Sequence, residues 1–179
     1  RAGKENVETV YKTVVFAVEG HARNEKNTLA TIQELAPNNK TVSDFIIAGS
    51  ASIDKATVAI IESLQHYAEA RAGKALKVTL SKEELAASKI YPVQTSKPIE
   101  MRYGALNKAF ESMSAEQRNE SRSLTYTADI ARMTDSGANN VLDIQKMIIA
   151  QYGKTLPIAD ITKFLNALEK AGYVRMVNQ

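Results

Sequence analysis

Apolar residues recur at every third or fourth position along most of the chain, which is the spacing of a helix with one buried face. Breaks at glycine and proline divide this pattern into separate helices. In the N-terminal half the predicted helical segments are Glu5–Glu19, which Gly20 ends, then Leu29–Leu35, Thr41–Ile47 and, after a break at 49–52, Ile53–Arg71. A short helix is expected around Leu85, after the capping-box sequence at Ser81, and further helices follow residue 104. The best defined of these later helices are Val141–Tyr152 and Ile158–Leu168.

The period of the pattern changes from helical to alternating in two places. Residues 75–80 and 99–103 both alternate apolar with polar side chains, so they predict a two-stranded antiparallel ribbon with the loop 81–98 between its strands. Tyr173–Val177 predicts a terminal strand. The expected fold is a mainly α, multi-helix domain with a minor two-stranded β-ribbon and a C-terminal helix-turn-helix-like hairpin. A division around residue 104 is expected, with 1–103 as one part and 104–179 as the other, unless the chain is a single domain.

The amino-acid composition excludes several classes of catalytic and metal-binding site. The 179 residues include no cysteine and two histidines, which excludes thiol catalysis, zinc–cysteine sites and a three-histidine metal site within one chain. The glycines never fall at the spacings of a phosphate loop or a dinucleotide-binding turn. We therefore expect no enzyme activity, no metal, no cofactor and no small-molecule substrate. No apolar run reaches the roughly 18 residues that span a bilayer, so no membrane partner is expected.

Positive charge is concentrated in one block of the sequence. Residues 74–102 carry six basic and three acidic side chains, whereas the net charge of the whole chain is only +3. The loop predicted at 81–98 lies in this block, and Pro92 and Pro98 bracket an irregular stretch within it. Long loops in compact domains are frequently functional. We therefore predict that Lys82, Lys89 and Lys97 contact an acidic partner.

The C-terminal segment from Val141 to Val177 has the order helix, short turn, helix, strand. Its last part, Asp160 to Val174, resembles the end of a winged-helix module, in which the recognition helix closes on a leucine, a Lys/Glu pair and a glycine. The middle helix of that family is missing here, because Pro157 leads directly into the last helix. The resemblance implies that Thr162, Lys163, Asn166 and Lys170 face a nucleic acid. The alternative is a helical hairpin whose outer residues are only solvated.

Two functional hypotheses follow from these patterns. The first is a non-enzymatic structural or scaffolding subunit of a larger assembly, such as a virus particle, that acts through protein partners or self-association. The second is a small DNA-binding or transcription-regulating protein that uses the C-terminal segment. The expected location is the cytoplasm or the virion. Because the sequence starts at Arg1 and not at methionine, we expect the chain to be a fragment or a processed or excised product.

Overall fold

The computed structural model describes residues 7–95, 103–134 and 137–179, and the side chains of 103–106 and 108 lie outside the description. It is 71% helical, which confirms the mainly α prediction with a minor two-stranded ribbon. Within the described residues the helices are α1 (Val7–Leu35), α2 (Lys40–Ala72), α3 (Lys82–Ala87), α4 (Tyr103–Ser112), α5 (Ala115–Ser123), α6 (Thr127–Arg132), α7 (Val141–Tyr152) and α8 (Ile158–Lys170). The strands are β1 (Ile90–Gln94) and β2 (Val174–Asn178).

The contacts between residues divide the chain into two compact units. One unit contains the chain up to Thr79 together with Ile149–Gly153, and the other contains Leu80–Ile148 and Lys154–Gln179. This division falls between Thr79 and Leu80. The division expected around residue 104, into 1–103 and 104–179, stays a prediction.

The first unit is dominated by a hairpin of two long helices. α1 has 29 residues and α2 has 33, so at 1.5 Å per residue they are about 44 Å and about 50 Å long. The breaks predicted at Gly20 and at 49–52 are therefore wrong, because both segments lie inside continuous helices. A turn follows Pro37, with Asn38 at a φ of 62°. Asn39, two residues before the start of the predicted segment Thr41–Ile47, caps α2 by accepting a hydrogen bond from the Val42 N–H.

Close packing explains why glycine does not interrupt α2. A Cβ atom at Gly49 would lie 3.0 Å from Cδ1 of Leu29 on α1, which is inside the normal contact distance. Glycine in a helix interior costs about 1 kcal/mol relative to alanine. At this position its lack of a side chain lets Leu29 pack directly against the backbone of α2. A tertiary contact thus offsets the local preference of the sequence.

The open end of the hairpin is closed by the extended segment that follows α2. Tyr11, Val15, Ala68 and Leu76 form one buried cluster, against which Val78 also packs. Leu76 and Val78 therefore do alternate with the exposed Lys77 and Thr79, as predicted. The buried side of this alternation packs against helices and not against a second strand. No strand forms at 75–80, so the predicted pairing of 75–80 with 99–103 is wrong. Most of 99–103 lies outside the described residues, and Tyr103 begins α4.

The observed ribbon belongs to the second unit. β1 pairs antiparallel with β2, in a register that places Ile90 opposite Asn178 and Gln94 opposite Val174. The terminal strand predicted at Tyr173–Val177 is thus confirmed, with bounds shifted by one residue. The expected loop 81–98 is instead ordered over most of its length, since it contains α3 and β1. The capping box predicted at Ser81 is present, with Ser81 and Glu84 capping each other's backbone N–H.

α8 provides the centre of the second unit's core. Ile161, Phe164, Leu165 and Leu168 are completely buried on one face of this helix. Phe164 lies 6.3 Å from Phe110 of α4, measured between ring centroids. The predicted helix Val141–Tyr152 is confirmed, and it contributes the buried Val141, Ile144 and Ile148. The outer face of α8 is fixed by this burial, because the opposite side of the same helix must face outward or meet another surface element.

A polar contact holds the C-terminal end of α2 to the segment that follows it. One oxygen of Glu69 accepts hydrogen bonds from the Gln65 side chain and from the Leu76 N–H, both at 2.9 Å. The Gln65 amide also donates to the Leu76 carbonyl at 3.2 Å. The hydrogen bond from Gln65, followed by that from Leu76, lowers the pKa of Glu69 below its ordinary value. The ionised carboxylate is therefore the form that the fold favours.

This pKa shift predicts a pH-dependent contribution of Glu69 to stability. Folding lowers the pKa, so the contribution is present above the ordinary carboxylate pKa and is lost as the pH falls through the folded-state value. We expect Glu69→Gln to lower the free energy of unfolding at neutral pH, by an amount that shrinks as the pH falls below the ordinary value of 4.5. Denaturant unfolding of both proteins across acid and neutral pH measures this difference. The exposed Glu25→Gln is the control for loss of one charge, and a pH-independent difference for Glu69→Gln contradicts the prediction.

Candidate interaction surfaces

The lysines predicted at the loop lie on ordered elements. Lys82 is the first residue of α3 and Lys89 directly precedes β1, and both are exposed. The backbone carbonyl of Lys89 accepts a hydrogen bond from the Gln179 N–H at 3.0 Å, which ties this residue to the end of the ribbon. Lys97 lies outside the described residues. The structure thus presents Lys82 at the start of α3 and Lys89 in the turn between α3 and β1.

The predicted residues on α8 share its outer face but differ in their surroundings. Lys163 makes a 3.0 Å ion pair with Glu120 of α5, and Thr162 is half-buried. Asn166 and Lys170 are exposed and lie one turn apart. The structure therefore brings the four residues together on one helix, but one of the two lysines already has a carboxylate partner.

The electrostatic character of this face is mixed. Glu169 stands beside Lys170 and accepts a hydrogen bond from the Met176 N–H at 2.7 Å, while Glu120 neutralises Lys163. Phosphate binding needs uncompensated positive charge, since backbone contacts dominate the affinity for nucleic acids. Two carboxylates within the same surface weaken the attraction that Lys163 and Lys170 provide.

The sequence patterns did not identify the most apolar exposed surface, which is on the α1–α2 hairpin. Ten large hydrophobic side chains are exposed among the described residues, and eight of them belong to these two helices. They include Phe45 at 58%, Tyr67 at 65% and Leu35 at 87% exposure. Exposed apolar residues that are scattered singly are normal, so their arrangement on the helix decides whether they indicate a site of interaction.

One face of α2 carries no charged side chain over most of the helix. Its members recur at steps of three or four residues and are all exposed: Phe45, Ala48, Ser52, Ala56, Ala59, Ser63, Tyr67 and Ala70. We call this set the uncharged face. Its average step corresponds to an 11-residue repeat, so it runs nearly parallel to the helix axis. The exposed Ile60 lies beside it.

The sequence contains an indication of this face in the width of the apolar stripe on α2. Helical spacing alone does not show which part of that stripe is exposed. Ile53, Ala56, Ile60, Ile61, Leu64, Tyr67, Ala68 and Arg71 follow one another at helical spacing and predict a single buried stripe. In the structure Ile61, Leu64 and Ala68 pack toward α1, whereas Ala56, Ile60 and Tyr67 are exposed. The apolar stripe of α2 is wider than the surface that one partner helix can cover. This excess width indicates that part of the stripe stays exposed.

Within the described residues no group of three or more His, Asp or Glu side chains is arranged to hold a metal ion. Among the described helices, none combines the length and hydropathy needed to cross a bilayer.

The ion pair on α8 predicts a small coupling energy. Lys163 and Glu120 are each about half exposed, and such pairs contribute about 0.2–1 kcal/mol. We expect a double-mutant cycle of Lys163→Ala and Glu120→Ala, measured by denaturant unfolding, to give a coupling in this range that falls at high salt. The matched control is a second cycle, of Lys170→Ala and Glu120→Ala. Lys170 has no ion-pair partner among the described residues. A coupling as large for Lys170 and Glu120 would show that the ion pair between Lys163 and Glu120 is not its source.

Comparison with known proteins assigns no relative to this chain. No protein-family model matches the sequence, and neither the curated proteins nor the solved structures give a match.

Proposed function

We propose that this protein is a non-enzymatic structural or scaffolding subunit of a larger assembly, for example a virus particle, and that the α1–α2 hairpin carries its protein–protein contacts. One observation carries the proposal: of the 33 residues of α2, only Ala68 is fully buried. The rest of the helix is half-buried or exposed. A helix of this length with so little buried surface is typical of an element that packs against a partner.

The physical argument concerns what stabilises long helices. Most of the stability of helices in proteins comes from packing of an apolar face. In α2, large apolar side chains such as Phe45 and Tyr67 remain more than half exposed. Burying a large apolar side chain contributes about 1.5–3 kcal/mol. A partner on this helix therefore gains free energy that the isolated chain does not.

The shape of the hairpin suits repeated contacts. Two helices of about 44 Å and about 50 Å offer a long surface, along which another helix can pack. The non-enzymatic part of the proposal rests on the sequence, which holds no cysteine and only two histidines. The predicted contacts of Lys82, Lys89, Lys97 and the α8 face stay predictions within the same proposal.

DNA binding through α8 is the second candidate function. The order α8 then β2 and the exposed Asn166 and Lys170 favour it, since these side chains can reach phosphate and base edges. The ion pair of Lys163 with Glu120 and the neighbouring Glu169 speak against a strong phosphate site. We therefore place protein assembly first.

Native mass spectrometry at low and high salt, with and without duplex DNA, tests the proposed function. We expect oligomers at both salt concentrations, because apolar contacts are screened little by salt, and no retention on DNA. Chains that remain monomeric and bind DNA only at low salt would establish the second candidate instead.

Replacing both Lys163 and Lys170 by glutamate separates the two candidates further. Both side chains are exposed, so the fold is expected to persist with a helical circular dichroism spectrum. Under the DNA hypothesis this variant loses salt-sensitive retention. Under the assembly hypothesis, oligomers formed through the hairpin remain.

A further inference from the structure

The uncharged face of α2 has a size pattern that is informative about its partner. Its two aromatic residues, Phe45 and Tyr67, stand near its ends, and alanine and serine occupy the centre. A helix that lies against small central residues can approach closely, because interaxial distances depend on the side chains at the contact. The two ends need a small residue opposite each aromatic ring.

We propose that the partner on this face is α2 of a second copy of this chain, in antiparallel orientation about a two-fold axis. The register is centred between Thr57 and Val58. A residue of one copy then lies opposite the residue of the other copy whose number brings the sum to 115. Phe45 of each copy then lies opposite Ala70 of the other, and Tyr67 opposite Ala48. Ala56 faces Ala59 at the centre. Every aromatic ring thus meets an alanine, and the contact is self-complementary, as a two-fold interface requires.

Charge complementarity supports the same register. Lys55 and Glu62 lie on one flank of the uncharged face, both exposed and without an ion-pair partner among the described residues. In the antiparallel register Lys55 of one copy lies about 3 Å along the axis from the point opposite Glu62 of the other, and the two-fold axis creates this pair twice. A parallel pairing places Phe45 against Phe45 and forms no such pair. The antiparallel arrangement is therefore favoured by both size and charge.

The extent of the face sets the expected strength. From Phe45 to Ala70 it is about 39 Å long, and with a helix about 10 Å wide the contact covers on the order of 400 Å² per copy before surface relief. Stable complexes bury about 800 Å² per partner. We therefore expect a weak dimer, half formed at a protein concentration on the order of 10 μM.

This inference rests on the proposed function and specifies its partner. Sedimentation equilibrium of the full chain from about 1 μM to about 500 μM measures the dimer directly, since this range brackets the expected strength. Ala56→Arg places a charge at the centre of the face and should weaken dimerisation at least about 100-fold, because the charges of both copies would be buried together. The helix is retained, since arginine is a good helix former.

Two further variants fix the surface and the register. Ala51→Arg introduces the same residue at an exposed position of α2 that is off the uncharged face, and it should dimerise like the wild type. Lys55→Glu should weaken the dimer severalfold, because it places a second carboxylate near Glu62 of the other copy and the two negative charges repel. Combining it with Glu62→Lys should restore the dimer, because the two charges are then exchanged.

The outcomes separate this inference from the proposed function. Oligomers that persist unchanged in Ala56→Arg overturn the inference, while the assembly function stands on another surface. A dimer that Ala56→Arg disrupts, but that the charge exchange fails to restore, overturns the antiparallel register. Monomers at every concentration overturn the self-pairing itself, and salt-sensitive DNA binding by such monomers would also replace the proposed function.

Discussion

The constraint on which the first unit depends is geometric: two helices that lie side by side can bury only one stripe of each against the other. α1 and α2 satisfy this constraint with Tyr11, Val15 and Ala68, closed at one end by Leu76. Everything else on the 33-residue α2 must face outward or meet something additional. The width of the apolar surface on α2 exceeds what α1 covers. That excess links the sequence pattern, the exposed aromatic rings and the proposed role in assembly.

The second unit solves the same problem differently, because its helices are short and surround a central one. α8 buries Ile161, Phe164, Leu165 and Leu168 completely, and α3, α5, α6 and β2 all contact it. Its remaining face is narrow and partly engaged by α5 through the pair of Lys163 and Glu120. The difference explains why the apolar exposed residues are concentrated on the hairpin rather than distributed over the whole protein.

Local signals in the sequence predicted local structure well, and contacts between distant residues were the part that they did not contain. The capping box at Ser81, the helix from Val141 and the terminal strand are set by residues within a few positions of each other, and all are confirmed. The continuity of α2 through Gly49 depends on Leu29, which lies 20 positions earlier. Likewise, the alternation at Leu76 indicates that one side of the segment is buried. It does not indicate whether a strand or a helix packs against that side. For the surfaces, the pattern located α8 and its outward residues, whereas the exposed half of the α2 stripe becomes visible only when α1 is in place.

The pairing of β1 with β2 has a consequence for the order in which the chain can acquire its structure during synthesis. Ile90 and Asn178 are separated by nearly half of the sequence, so β1 leaves the ribosome long before its partner strand exists. Closing so long a loop carries an entropic cost that only the completed core repays. The hairpin of α1 and α2, by contrast, joins helices that are neighbours in sequence. A nascent chain of this protein can therefore form the α1–α2 hairpin before the second unit has its last strand.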